Sequence, residues 1–300
     1  MAPHGSAVSK ARPAPRTRTL RLTGPSPTLD HRLHAYRRDL ADRELAADYA
    51  AAAYAEPRPM RCRAARAMVR GKPRADAGAT SELLYGEPFL ALEVGSDWAW
   101  GYCGIDRYVG YVPTSALGEA SEPTHRVSAP SALVFSRPDL LSPHVVELPL
   151  GSLLAVTERQ GSFFAIDGGY VHERHVGALR PNGGDWLAVA RSFVGSPYLW
   201  GGRTRWGIDC SGLVQVALGA CGIAAPRDSD MQQQALGREV GTPGTGDLVF
   251  FPGHVGIMAD ETSLLHANSY WMGTVIEPLS DVVARIAANH ATPVLAVRRL

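Results

Sequence analysis

Three short stretches recur in the same order along the middle of this chain. Leu84-Tyr85-Gly86-Glu87, followed by Phe89-Leu90-Ala91-Leu92, returns as Pro149-Leu150-Gly151-Ser152 followed by Leu154-Ala155-Val156. Gly95-Ser96-Asp97-Trp98 returns as Gly161-Ser162-Phe163-Phe164, and Gly110-Tyr111-Val112 as Gly169-Tyr170-Val171. Chance accounts for one such match and hardly for three, so the chain holds a duplicated unit of about 60 residues. In both copies short apolar runs alternate with Gly, Pro and Asp, as small antiparallel barrels require. The copies are expected over residues 58–121 and 122–182.

The strand-turn-strand rhythm and the Gly-Tyr-Val close resemble bacterial SH3-like domains. The pair Trp98 and Trp100 is expected in the barrel core. His172-Glu173-Arg174-His175 lacks the helical spacing of a zinc protease motif, so no metal is assigned there. Ahead of the barrels, Leu33, Tyr36, Leu40, Leu45 and Tyr49 fall near helical spacing with alanines between them and Pro57 as a stop. That predicts an N-terminal helix over residues 31–57. Residues 1–30 are basic and rich in Pro, Ser and Thr, and read as a solvated tail.

A formal net charge of +1 carries no message about a polyanionic partner, so neither nucleic acid nor a membrane surface is expected to bind. No apolar run approaches the ~20 residues of a membrane span or forms a signal-peptide core, which makes a cytoplasmic location the expectation. Cys62, Cys103, Cys210 and Cys221 make no close-spaced metal pair. Cys210 and Cys221 on one helix would sit roughly 16 Å apart along its axis, too far for a disulfide.

From Asp185 helix signals come first and strands follow. A helix is predicted over residues 185–193, with strands over 247–251, 254–259, 264–268, 274–276 and 294–297. Residues 183–300 therefore read as an α+β domain with an antiparallel sheet.

Within it, Leu213, Val214, Ala217, Leu218 and Cys221 recur at three- and four-residue steps, so a buried helix face begins at Cys210, and Gly222 stands where a C-terminal cap belongs. Asp209 is then the N-cap and Cys210 lies in the first turn. There the helix dipole is expected to lower its pKa and enrich the thiolate. A thiolate nucleophile needs a base held by a third polar group. His254 opens a strand and shares a face with Gly256, which is expected to leave room for substrate or a helix end. His266 and Asn268 share a face of the next strand.

Six motifs in this domain are Ser196-Pro197-Tyr198-Leu199-Trp200-Gly201-Gly202, Gly207-Ile208-Asp209-Cys210-Ser211-Gly212-Leu213, Pro226-Arg227-Asp228-Ser229, Gly246-Asp247-Leu248-Val249-Phe250, His254-Val255-Gly256-Ile257 and Leu265-His266-Ala267-Asn268. In order and spacing they resemble the NlpC-type peptidases, papain-like bacterial hydrolases of murein peptides. The resemblance implies Cys210 as nucleophile, His254 as base and His266 as its orienter, with Asn268 as the weaker candidate for that last role. It also implies the Cys210 amide in an oxyanion hole, no cofactor, and murein-derived peptides as ligands.

The order of helix, two SH3-like repeats and hydrolase resembles the subgroup of γ-D-glutamyl-diamino-acid dipeptidyl peptidases, which act on stem peptides with a free N-terminal L-alanine. In that subgroup a Glu and a Tyr of the first SH3-like domain close the cleft around the amine. Glu87 and Tyr108 are the best matches, with Glu82 and Tyr111 as alternatives. Asp209 and Ser211 are open to substrate contact, as is Tyr198 at the Trp-Gly-Gly turn. A wall endopeptidase, an acyl transferase with the same triad and a non-catalytic wall-fragment binder remain the rival readings. Oligomeric state and the identity of the diamino acid are not written in the sequence.

Overall fold

The computed structural model of the chain describes residues 28–119 and 121–300; the basic tail, up to residue 27, lies outside the described residues. A seven-stranded sheet runs from Arg58 to Gly118, and two sheets, of three and five strands, lie between His125 and Ala178. The two regions repeat one pairing scheme. Strand Arg66–Arg70 pairs antiparallel with Ala79–Leu84 and also meets Val109–Pro113. Likewise Ser131–Phe135 pairs with His144–Pro149 and with Gly169–His172. A single 3-10 turn follows each last hairpin, Thr114–Ala116 in one region and Glu173–His175 in the other. The matched glycines serve one purpose. Gly86 and Gly151 both adopt positive φ, and a Cβ at Gly86 would lie 2.0 Å from the Leu153 carbonyl oxygen, so the two sheet regions touch across that turn.

Trp98 and Trp100 are not in the barrel core. Ala99 between them is fully buried among Val69, Leu83 and Phe89, so strand alternation turns both tryptophans to the outer face. Trp100 is covered there by the leading segment, packed with Ala35, Leu92 and Tyr102 beneath the Arg37 guanidinium.

That segment is not the predicted helix. Strand Leu40–Asp42 runs parallel to Ala53–Ala55, and the only helical turn between them is 3-10, Arg43–Ala47, capped by Asp42. Packing Ala35 and Leu40 against the barrel, with Arg37 paired to Glu93, outweighs the alanine-rich helix propensity, which is worth only tenths of a kcal/mol per residue.

The last region is α+β. Its six-stranded antiparallel sheet has the order Arg238–Glu239, Ala296–Arg299, Leu248–Phe251, His254–Met258, Ser263–Asn268, Gly273–Pro278. Helix Cys210–Ala220 packs on one face through Leu213, Val214, Ala217 and Leu218 against Phe250, Val255, Ile257 and Leu265. Helix Leu279–Ala287 covers the other face, where Val282 meets Val249, Phe251, Met258 and Leu264. Truncating Leu213 inside this packing costs about 2–5 kcal/mol. Trp186–Arg191 and Ser229–Ala235 are the remaining α-helices among the described residues. No helix among them is long and apolar enough to cross a membrane.

Candidate active site

The helix carrying Cys210 is fixed at both ends by local chemistry. Asp209 has extended backbone angles, and its Oδ1 accepts from the Gly212 N–H at 2.7 Å, an N-cap. At the other end Gly222 takes φ +84° while Ile223 N–H donates to the Leu218 carbonyl, a Schellman closure. Cys210 is the first helical residue and is buried. The backbone N–H groups of Val255 and Ser211 point at its sulfur. A helix's first amides have no intrahelical acceptor, so that of Cys210 is available to an oxyanion.

Burial nonetheless pushes the Cys210 thiol up to about 11, with the Asp209 carboxylate as the next cause. That direction is opposite to the lowering expected for a thiol at a helix start. Burial likewise depresses His254, to about 3, with His266 and Arg285 adding to the effect. Both shifts favour the neutral forms, thiol and imidazole.

His254 and His266 occupy the same sheet face on neighbouring strands, with His254 Nε2 and His266 Nδ1 2.8 Å apart. Gly256, on that face too, leaves room for Leu264 instead of substrate: a Cβ there would lie 2.6 Å from the Leu264 side chain. His266 Nε2 is 2.8 Å from Glu277 Oε1 and 3.1 Å from Asn268 Nδ2. Asn268 thus bonds His266 and makes no hydrogen bond to His254 among the described residues. Arg285 grips Glu277 with two bonds of 3.0 and 2.6 Å. Burial alone would raise Glu277, but hydrogen bonds from Arg285, Trp271 and His266 bring it to about 2. Sequence reasoning missed Glu277 and Arg285. A charged residue among the apolar alternation of Gly273–Pro278 was the available signal.

Two cavities meet at this centre. One, of about 280 Å³, is lined by Cys210, Ser211, Tyr108, Tyr198, Asp228 and Arg32, among others. The other, of about 320 Å³, lies on the histidine side and is lined by His254, His266, Tyr270, Arg285 and His290; Tyr198, Trp200 and Gly253 border both. Tyr198 is half-buried, and its hydroxyl is pushed above its ordinary range by burial and then by Cys210.

Tyr108 reaches the first cavity from the first barrel and donates its hydroxyl to Asp228 Oδ2 at 3.0 Å. Tyr111 does not; its hydroxyl accepts from Arg37. Glu87 is absent from the cavity as well. Its oxygens accept from Arg203 at 2.8 and 3.1 Å and from the Leu84 amide, in a fully buried ion pair that joins barrel to peptidase domain. Glu82 is equally committed, to Arg66 and the Arg203 amide.

Asp209 lines the cavity, yet its acceptor sites are filled by Gly212 and Gly201 amides and by both terminal nitrogens of Arg227. It is a cap and a strut, not an open amine partner. Ser211 Oγ accepts from the same Arg227, which is itself almost wholly buried.

Asp228, in the same cavity, has capacity left. Oδ2 accepts from Tyr108 and from Arg32 at 2.9 Å, while Oδ1 accepts no hydrogen bond among the described residues. Burial raises this carboxyl against the pull of Arg227, Tyr108 and Arg32. Arg227 and Asp228 stand in a motif read from the sequence, but neither was assigned a role.

The geometry is matched by known proteins. Residues 195–285 match the NlpC/P60 family, and residues 69–117 match the bacterial dipeptidyl-peptidase Sh3 domain. Dipeptidyl-peptidase 6 of Lysinibacillus sphaericus is 28% identical over 230 residues, covering 66% of this chain and 83% of that protein. The gamma-D-glutamyl-L-lysine dipeptidyl-peptidase of Bacillus cereus is 25% identical, covering 58% of this chain and 61% of its own length. In fold, the crystal structure of an NlpC/P60 family protein from Bacillus cereus aligns with a TM-score of 0.69 at 18% identity, over 81% of this chain and 99% of that one. A buried thiol at a helix start, a paired histidine on the facing sheet and these matches lead to one conclusion: the chain is a cysteine peptidase carrying an NlpC/P60 domain with a bacterial dipeptidyl-peptidase SH3 domain ahead of it.

Proposed function

We propose that the protein hydrolyses free murein stem peptides at the γ-D-glutamyl-diamino-acid bond, releasing L-Ala-γ-D-Glu. Cys210 is the nucleophile, His254 takes its proton, and the Cys210 amide holds the oxyanion. The observation that carries the substrate reading is the open oxygen of Asp228 in the cavity shared with Cys210. Asp209, Glu82 and Glu87, the other carboxylates considered for an amine, are already saturated. Tyr108 and Arg32 line the same cavity and bound a short chain ending there, whose ammonium would meet the open Asp228 oxygen. The histidine-side cavity is left for the diamino acid. The relatives named as dipeptidyl-peptidases support this reading over that of a wall endopeptidase.

The test is product analysis. L-Ala-γ-D-Glu-diamino-acid tripeptide and intact murein sacculi are each incubated with the protein and analysed by mass spectrometry. L-Ala-γ-D-Glu and the free diamino acid are the expected products. Cleavage of sacculi with the tripeptide untouched would overturn the proposal.

A further inference from the structure

We infer that Glu277 is a positioning residue of the catalytic group: acting through His266, it selects the tautomer of His254 that leaves Nδ1 bare to accept the Cys210 proton. This rests on the reading of Cys210 and His254 as nucleophile and base.

Two groups compete for His266 Nε2. Glu277 Oε1 lies 2.8 Å away and Asn268 Nδ2 lies 3.1 Å away. The Asn268 orientation is set independently, because its Oδ1 accepts from the Trp271 amide at 2.8 Å and so the NH₂ faces the ring. A carboxylate only accepts, so Glu277 demands an Nε2–H; an amide nitrogen only donates, so Asn268 demands a bare Nε2. The two demands set opposite tautomers. The Glu277 contact is the shorter and is charge-assisted, roughly twice as strong as a neutral hydrogen bond, and it wins. Glu277 cannot swing away, since Arg285 holds Oε1 at 3.0 Å and Oε2 at 2.6 Å.

The consequence passes along the line of rings. With its proton on Nε2, His266 offers a bare Nδ1 to His254 Nε2, 2.8 Å away. His254 therefore carries its own proton on Nε2 and presents Nδ1 as a lone pair. Had Asn268 prevailed, His266 Nδ1–H would donate to a bare His254 Nε2. His254 would then carry its proton on Nδ1 and have no site for the thiol proton. When His254 becomes the imidazolium, the same line places the Glu277 negative charge behind it, with His266 between them and Arg285 bound to the far side of Glu277.

Long-range proton–nitrogen correlation spectra of the histidine rings, near neutral pH, test this without any substrate. Wild-type protein is expected to show Nε2–H on both His254 and His266. In Glu277→Gln, one end of the side chain becomes a donor that Arg285 cannot accept. The His266 signal should then shift to a mixed or Nδ1–H tautomer. Turnover of the tripeptide should fall by about 10–100-fold in kcat, with KM within about twofold of wild type. His266 protonated on Nδ1 in the wild type would overturn the inference, whether or not the variant folds. Unchanged tautomers in Glu277→Gln, or a loss confined to KM or to thermal stability, would overturn it too. If no peptide is turned over, the substrate reading fails while the spectra still decide this one.

Discussion

Tyr108 of the first barrel donates its hydroxyl to Asp228 of the peptidase domain at 3.0 Å, on the wall of the cavity that also holds Cys210. One hydrogen bond thus joins two domains at the end of the cleft where a substrate terminus would lie. An isolated peptidase domain would leave that end open.

Replacing Cys210 with Ala should abolish peptide turnover, because no neighbouring group can form the acyl intermediate. Cys221→Ala should leave it intact, since Cys221 closes the far end of the same helix. Steady-state rates on the tripeptide check both, and comparable kcat values for wild type and Cys210→Ala would remove the thiol from the mechanism.

His254→Ala should cost ~10²–10⁴-fold in kcat, the usual worth of a general base. His266→Ala should cost less, because it acts on His254 and not on the sulfur. A larger loss in His266→Ala would reverse the two roles.

Acid should destabilise the protein through the same ring. His254 is held near 3, below the ordinary 6.5, so between those values the unfolded chain binds more protons than the folded one. Its contribution to stability is complete above pH 6.5 and is lost as pH falls toward 3. Glu277, held near 2 against an ordinary 4.5, adds a second loss below pH 4.5. Urea midpoints measured between pH 6.5 and 4.5 should fall for wild type and fall less for His254→Gln. Parallel slopes would mean that His254 is not the group responsible.

Glu87→Ala should lower stability by about 3–5 kcal/mol by stranding the buried Arg203 charge, with specificity for free amines unchanged. Asp228→Asn should do the opposite, sparing stability and losing the preference. Denaturant melts and paired peptide assays separate the two, and a loss of preference in folded Glu87→Ala would restore that residue to the cleft.

The parts legible in the sequence are those written in local chemistry. The Cys210 helix announces its cap, its apolar stripe and its glycine stop within 14 residues, and the structure uses all three. The repeated Gly turn and Gly-Tyr-Val close foretell a shared strand order because hairpins are local. Where partners are distant the reading fails. The leading segment has helical spacing, yet its side chains answer to Trp100 and Glu93 on the barrel. Glu87 matches an expected pattern in sequence, and only the fold brings Arg203, 116 residues on, to consume it. Glu277 joins His266 through sheet register and Arg285 through a helix packed behind, which no spacing along the chain displays.

The most direct measurement is kcat/KM on L-Ala-γ-D-Glu-diamino-acid tripeptide with a free amine and with that amine acetylated. Acetylation removes the ammonium that would bond the open Asp228 Oδ1, adds bulk against Tyr108 and Arg32, and leaves that one oxygen without a donor while Oδ2 keeps Tyr108 and Arg32. Such a loss of about 1–3 kcal/mol or more corresponds to a preference for the free amine on the order of 10–10²-fold. The account predicts at least that ratio for the wild type and its collapse in Asp228→Asn. Equal values on both peptides would contradict it.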